Sequence, residues 1–398
     1  MDLKRLSKRT LAIAAIVSML LCVSIKTSAT EVSVADWSAL KSAIDNATGD
    51  TTITLTSNIV ESGVLERALA KGNSNIVLNL NNKTIDVQIA NTQKDVEYTI
   101  LSSDARESGY FHFTVKDGTI QNAVESALFF DAVFVDDSSG TVSNVRFLNN
   151  IADGKNHSGY AQGGALKIGN ITDTTITDSE FIGNTVINAG AESYGGAVES
   201  YANNLLVENT KFIGNGILNY GTDSAQTTTQ DGGAMMIASE NSTLDNVTFT
   251  FNKSTNSGGA IAYIPVNNIN STIKNSSFEG NETVNKGGAI YAKKSHITDS
   301  ANIGLTVENT DFTSNKATGA DSKGGAIYAS EDVTGLTIVD SSFKNNSAKE
   351  GGAIYNDSLA ATTIHAKTKD VVFENNNSTG AVDGSGSGIY LNGTLNAL

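Results

Sequence analysis

Phe278-Glu-Gly-Asn281, Gly287-Gly-Ala-Ile290-Tyr291, Phe312-Thr-Ser-Asn315 and Gly324-Gly-Ala-Ile327-Tyr328 follow one another along the chain, and their alternation decides the fold. The first motif, Phe-x-x-Asn, opens at Phe147, Phe181, Phe212, Phe249, Phe278, Phe312, Phe343 and Phe373. The second, Gly-Gly-Ala-aliphatic, spans 163–166, 195–198, 232–235, 258–261, 287–290, 324–327 and 351–354; a degenerate copy, Gly386-Ser-Gly-Ile389, closes the series. Steps from one Phe to the next are 34, 31, 37, 29, 34, 31 and 30 residues. Such a period marks supersecondary units that bury their apolar faces only by stacking on their neighbours.

The units read as short strands. Stretches such as Thr174–Phe181 and Leu244–Phe249 are rich in β-formers and bounded by Asn, Asp, Gly and Ser. After residue 50 helical periodicity almost disappears, and Pro265 is the chain's one proline, so nearly every strand residue can donate its N–H. In the copy at 287–292, period-two alternation turns Ile290 inward, Tyr291 outward and Ala292 inward. The glycines permit a corner of positive φ. Each Phe is expected to stack in a core column, and each Asn to sit at a turn, its amide bonding its equivalent in the next coil or capping local backbone groups. The expected fold is all-β: a right-handed, single-stranded parallel β-helix.

The alternating motifs resemble the repeat of the chlamydial polymorphic outer membrane proteins and, more broadly, the autotransporter passengers that carry it. The resemblance covers about residues 141–391. It implies a β-helix passenger displayed at the outer membrane and used in adhesion to host cells. Members of that family end in a C-terminal β-barrel built of many alternating strands of about ten residues. No such region precedes Leu398. Outer-membrane anchoring is therefore expected only through a barrel outside this chain, and a fragment, a separate barrel chain and a released protein all stay open.

Three segments are expected. Residues 1–29 read as a signal peptide: Lys4, Arg5, Lys8 and Arg9 precede an apolar run from Leu11 to Ile25, and Thr27-Ser-Ala29 offers small residues for cleavage. Residues 30–140 read as an N-terminal cap and irregular first coils, and 141–398 as the repeats. Within the cap, residues 36–47 form a short amphipathic helix with Asp36 as N-cap and Trp37, Leu40 and Ile44 on one face. It is expected to plug the first coil. Strand candidates follow at Thr51–Thr56, Ile76–Leu80, Phe111–Val115 and Ala127–Val135.

Charge and cysteine narrow the function. The chain carries 27 basic and 42 acidic residues; without the leader 22 and 41 remain, a net charge of −19. Nucleic acid and anionic lipid are poor partners for such a chain. Cys22, in the leader, is the single cysteine, so the exported chain relies on its core rather than on disulfides. An extracellular, surface-associated location is expected.

Two places could bind a partner. The segments between Phe-x-x-Asn and the next glycine pair are longest at 151–162, 185–194 and 216–231, three successive coils, and carry Tyr160, Tyr194 and Tyr220 among small polar residues. Simple tolerance of insertions at solenoid corners explains them equally. Tyr291, Tyr328, Tyr355 and Tyr390 form an outward aromatic column, suited to a sugar or protein ligand or to cross-strand stabilisation. The partner expected is a host-cell surface protein or glycan.

Catalysis is not expected. Positions after the motif aliphatic are Lys167, Glu199, Met236, Ala262, Tyr291, Tyr328, Tyr355 and Tyr390, without the carboxylate pair a glycosidase needs. The histidines, His112, His157, His296 and His365, are scattered, and neither a metal site nor a cofactor is predicted. The alternatives are a structural surface or biofilm component and a polysaccharide-active β-helix enzyme.

Overall fold

A computed structural model describes residues 29–62, 67–87, 101–104, 110–124, 126–131, 137–154, 161–188, 192–219, 230–265, 269–294, 303–380 and 386–397. All of the expected leader but Ala29 therefore lies outside the described residues. The chain is a right-handed parallel β-helix whose strands pair in register with their copies one turn on. Among the described residues the largest sheet has 21 strands, and further sheets of 11, eight and three strands run alongside it.

Repetition of the sequence becomes repetition in space. Phe147, Phe181, Phe212, Phe249, Phe278, Phe312 and Phe343 are fully or almost fully buried. Their rings, and that of Phe373 after them, stack nearly parallel at 4.7–4.9 Å. That distance is the hydrogen-bonded strand spacing, so the column follows from parallel pairing in register. Three residues on, the motif asparagines run as a second buried column, from Asn150 Nδ2 donating to Asn184 Oδ1 at 2.9 Å as far as the Asn346–Asn376 pair. Each amide, from Asn184 onward, also donates to the carbonyl of the preceding coil's Phe, so the polar corner is satisfied inside the core.

Besides the glycine pair, two corners per coil take left-handed backbone. One is the residue before the ladder asparagine, with φ of 52° at Asn149, 64° at Gly183, 56° at Phe251 and 59° at Ser314. The other holds Asn144, Asp178, Asn209, Asn246, Asn275, Asn309 and Asp340, with φ between 47° and 55°. Asparagine and aspartate tolerate this region best among residues with a Cβ, which accounts for their abundance.

The helix forms at Trp37–Asp45, which we call α1, and Asp36 Oδ1 accepts from the N–H of Ala39 at 2.9 Å. Trp37, Leu40 and Ile44 join the main core. Asp45 Oδ1 accepts from the N–H of Leu69, in the first strand of the 11-stranded sheet. That helix stands in for a strand of the coil before, as the capping expectation requires. The first strands are longer than expected: they run over Gly49–Leu55, Ser74–Val87 and Tyr110–Gln121, the last two bent at left-handed Asn81 and Asn82 and at Asp117. The candidate at Ala127–Val135 is shorter, Leu128–Phe130, and 132–135 lie outside the described residues.

Candidate functional site

The glycine pair creates a second layer outside the coil. The first glycine of each copy has φ between 54° and 81°, and the chain doubles back over the strand that follows. A Cβ on Gly287 would lie 2.0 Å from the Ile290 carbonyl oxygen, and one on Gly288 2.0 Å from that of Gly325 in the next coil. The doubling back is therefore possible only for glycine. It lays the residue before the pair against the outward residue after the aliphatic.

Two columns result. Outward of the 11-stranded sheet, Phe129, Lys167, Glu199, Met236, Ala262, Tyr291, Tyr328, Tyr355 and Tyr390 pair in register. Before the glycines, Gln162, Tyr194, Asp231, Ser257, Lys286, Lys323 and Glu350 do the same. Met236, Ala262, Tyr291, Tyr328 and Tyr355 make a buried cluster of their own, with Tyr194, Tyr201 and Tyr390 packed against it.

The tyrosine column is outward of the main core, yet Tyr291, Tyr328 and Tyr355 are only 6%, 2% and 3% exposed. Their rings stack at 5.6 and 5.7 Å, and Tyr390 continues the stack at 4.3 Å. Lys286 Nζ sits 4.6 Å over the Tyr328 ring and donates to its hydroxyl at 3.2 Å; Lys323 does the same for Tyr355 at 4.3 and 2.8 Å. Tyr328 in turn donates to Asp357 at 3.3 Å. Burial lowers the Lys286 ammonium below its usual range. Beside Asp357 an open cleft of about 410 Å³ is lined by Glu331, Thr334, Leu359 and Asn392 among others.

Toward the N-terminus the same layer turns acidic. Glu199 is fully buried, and neither carboxylate oxygen has a hydrogen-bond partner. Burial pushes its carboxyl up to about 7, offset in part by Lys167 in the preceding coil and by Tyr201 beside it. Asp231 is 1% exposed and also raised to about 7 by burial, although Asn256 Nδ2 donates to it at 2.7 Å. Burial first, then the Asp231 charge, raises the Tyr291 phenol.

Of the three loop tyrosines expected to bind, Tyr194 lies half-buried on this layer, while Tyr160 and Tyr220 lie outside the described residues. The long segments are ordered where described: Ile151–Asp153, Thr185–Asn188 and Gly216–Asn219 pair side by side, as do Ala161–Gln162, Ser193–Tyr194 and Gln230–Asp231. Sequence reasoning does not single out Asp231 or Tyr201, and it meets Glu199 only as one of the residues after the motif aliphatic. A usable signal for Asp231 was its place before a glycine pair, where other copies hold Lys286 and Lys323.

The family described as the Chlamydia polymorphic membrane protein repeat matches residues 275–293, 309–330 and 340–357. Each matched stretch opens at a left-handed corner residue, Asn275, Asn309 or Asp340, and ends at or beyond a Gly-Gly-Ala-Ile-Tyr strand. Neither the curated proteins nor the solved structures contain a match to this chain. Three successive turns of this solenoid thus carry the Chlamydia polymorphic membrane protein repeat.

Proposed function

We propose that this chain is an exported, surface-displayed passenger that binds a host or extracellular ligand through its outer layer and catalyses no reaction. The repeat supports the passenger part, since its family is one of surface membrane proteins. One observation carries the binding part. The described parts of the three longest segments pair in parallel register, coil on coil, beside a layer rich in tyrosine and buried carboxylate. Rigid scaffolds that gather variable segments on one edge are a recurring way to build a recognition surface. No helix among the described residues is long and apolar enough to cross a membrane, a statement silent on β-barrels.

The test is binding of purified residues 30–398 to host cells and to a glycan array, with polysaccharide turnover followed in the same samples. Saturable binding without turnover is the expected result. Turnover would establish an enzyme instead, and neither signal would leave a scaffold role.

A further inference from the structure

We infer that the buried, unpartnered carboxylate of Glu199 receives a cationic side chain, a lysine ammonium or arginine guanidinium, from a basic segment of a protein ligand. The inference rests on the binding reading above and names the chemistry of that same surface.

Glu199 is held by the fold rather than left to solvent. Its neighbours Val198 and Ser200 face the interior, so its own side chain enters the outer layer, between Lys167 in one coil and Met236 in the next. There it is fully buried with both oxygens unbonded. A carboxylate removed from water without a partner is costly, and a cation supplied by a ligand removes that cost. The neighbouring side chains suit such a guest. Tyr194 and Tyr201 pack on this layer, and aromatic faces attract ammonium and guanidinium groups. Asp231 pairs in register with Tyr194 and adds a second buried acid. A metal ion fits less well: among the described residues no group of three or more His, Cys, Asp or Glu side chains could hold one. The net charge of −15 favours a basic partner before contact is made.

The probe is a lysine pentapeptide, titrated calorimetrically into the full exported chain at pH 8, with its fully acetylated form as control. Glu199→Gln keeps the shape of the protonated carboxyl and is expected to weaken binding at least tenfold. Glu374→Gln, which removes an exposed acid far from the site, controls for non-specific attraction and is expected to change it less than twofold. Tyr201→Phe, which tests the hydroxyl beside the carboxylate, is expected to keep binding within threefold. Binding should also weaken from pH 8 to pH 6 as Glu199 takes up its proton, with Lys167, Tyr194, Tyr201, Glu192 and Asp231 as the other ionisable groups nearby. Equal losses in Glu199→Gln and Glu374→Gln, or none in either, would overturn the inference. Retained cell binding by Glu199→Gln in that case would leave the wider function standing.

Discussion

Asn281 donates through Nδ2 to Oδ1 of Asn315 at 2.9 Å, one coil apart, and both side chains are completely buried. The same Nδ2 donates to the Phe249 carbonyl, while Asn281 Oδ1 accepts from both the N–H and the Nδ2 of Asn252. Every polar atom of the amide is therefore used. Asn281→Leu would strand the Asn252 donors and the Phe249 carbonyl in the core. Each orphaned group costs about 1–3 kcal/mol, so a loss of several kcal/mol is expected in urea unfolding. A loss below about 1 kcal/mol would show that the ladder is incidental.

The glycine pair predicts a contrast between two alanine substitutions. Gly288→Ala would place its Cβ 2.0 Å from the Gly325 carbonyl oxygen and 2.6 Å from the Lys316 nitrogen. Both obstacles are backbone, so the coils must separate, and a melting temperature lowered by many degrees or failure to fold is expected. Gly335→Ala meets nothing within 4 Å. It is expected to be neutral, or to stabilise by up to about 1 kcal/mol through the unfolded chain.

Phe251 occupies a left-handed corner with φ of 56° and is 62% exposed, where neighbouring coils place Gly214 and Gly280. Its ring lies over Gly280, whose Cβ would meet it at 2.4 Å. A Cβ in this region costs roughly 1–2 kcal/mol, and asparagine bears it better. Phe251→Asn is expected to raise the melting temperature. A fall would mean that contact between the ring and Gly280 outweighs the backbone cost.

Stability should depend on pH through the outer layer. In the unfolded chain Glu199 and Asp231 ionise near pH 4, whereas in the folded chain they keep their protons to about pH 7. Between those values the folded state binds more protons, so stability falls as pH rises from 4 to 7 and stays reduced above it. The effect is on the order of 3 kcal/mol for each group. Asp340 acts oppositely: a hydrogen bond from the Thr368 hydroxyl, with backbone N–H groups of Thr368 and Lys367, holds its carboxyl well below the usual range. Its contribution is present near neutrality and lost in strong acid. Melting temperatures measured from pH 3 to pH 9 are expected to peak on the acid side of neutrality. Glu199→Gln should flatten the fall between pH 5 and pH 8; an unchanged slope would contradict the buried carboxyl.

Much of this is legible in the sequence. Phe-x-x-Asn marks the phenylalanine core column, because a strand repeat in register must stack like on like, while the burial of the asparagine ladder shows only in the folded coil. Asp36, Trp37, Leu40 and Ile44 marked the capping helix through cap and periodicity alone. The outer layer was harder. Tyr328 reads as an outward tyrosine, and outward on a strand usually means wet. Its cover, Lys286, is 42 residues away and becomes a neighbour only when the coils stack. Glu199 stands alone as an acid among the residues after the motif aliphatic, and its burial shows only when Lys167 and Met236 of the adjacent coils close on it together with Tyr194 and Tyr201 of its own. Phe251 hid for a simpler reason: its strain shows only when it is set against Asn149, Gly183, Gly214, Gly280 and Asn345 in the same column.

The most direct measurement uses a variant whose three long segments, 151–162, 185–194 and 216–231, are each cut to the five-residue length found at 253–257. Circular dichroism and melting would first verify that the β-helix is intact, and binding to host cells would then be compared with the parent chain. Loss of saturable binding in a folded variant is the result expected of a surface built on those segments. Undiminished binding would contradict it and place recognition elsewhere on the solenoid.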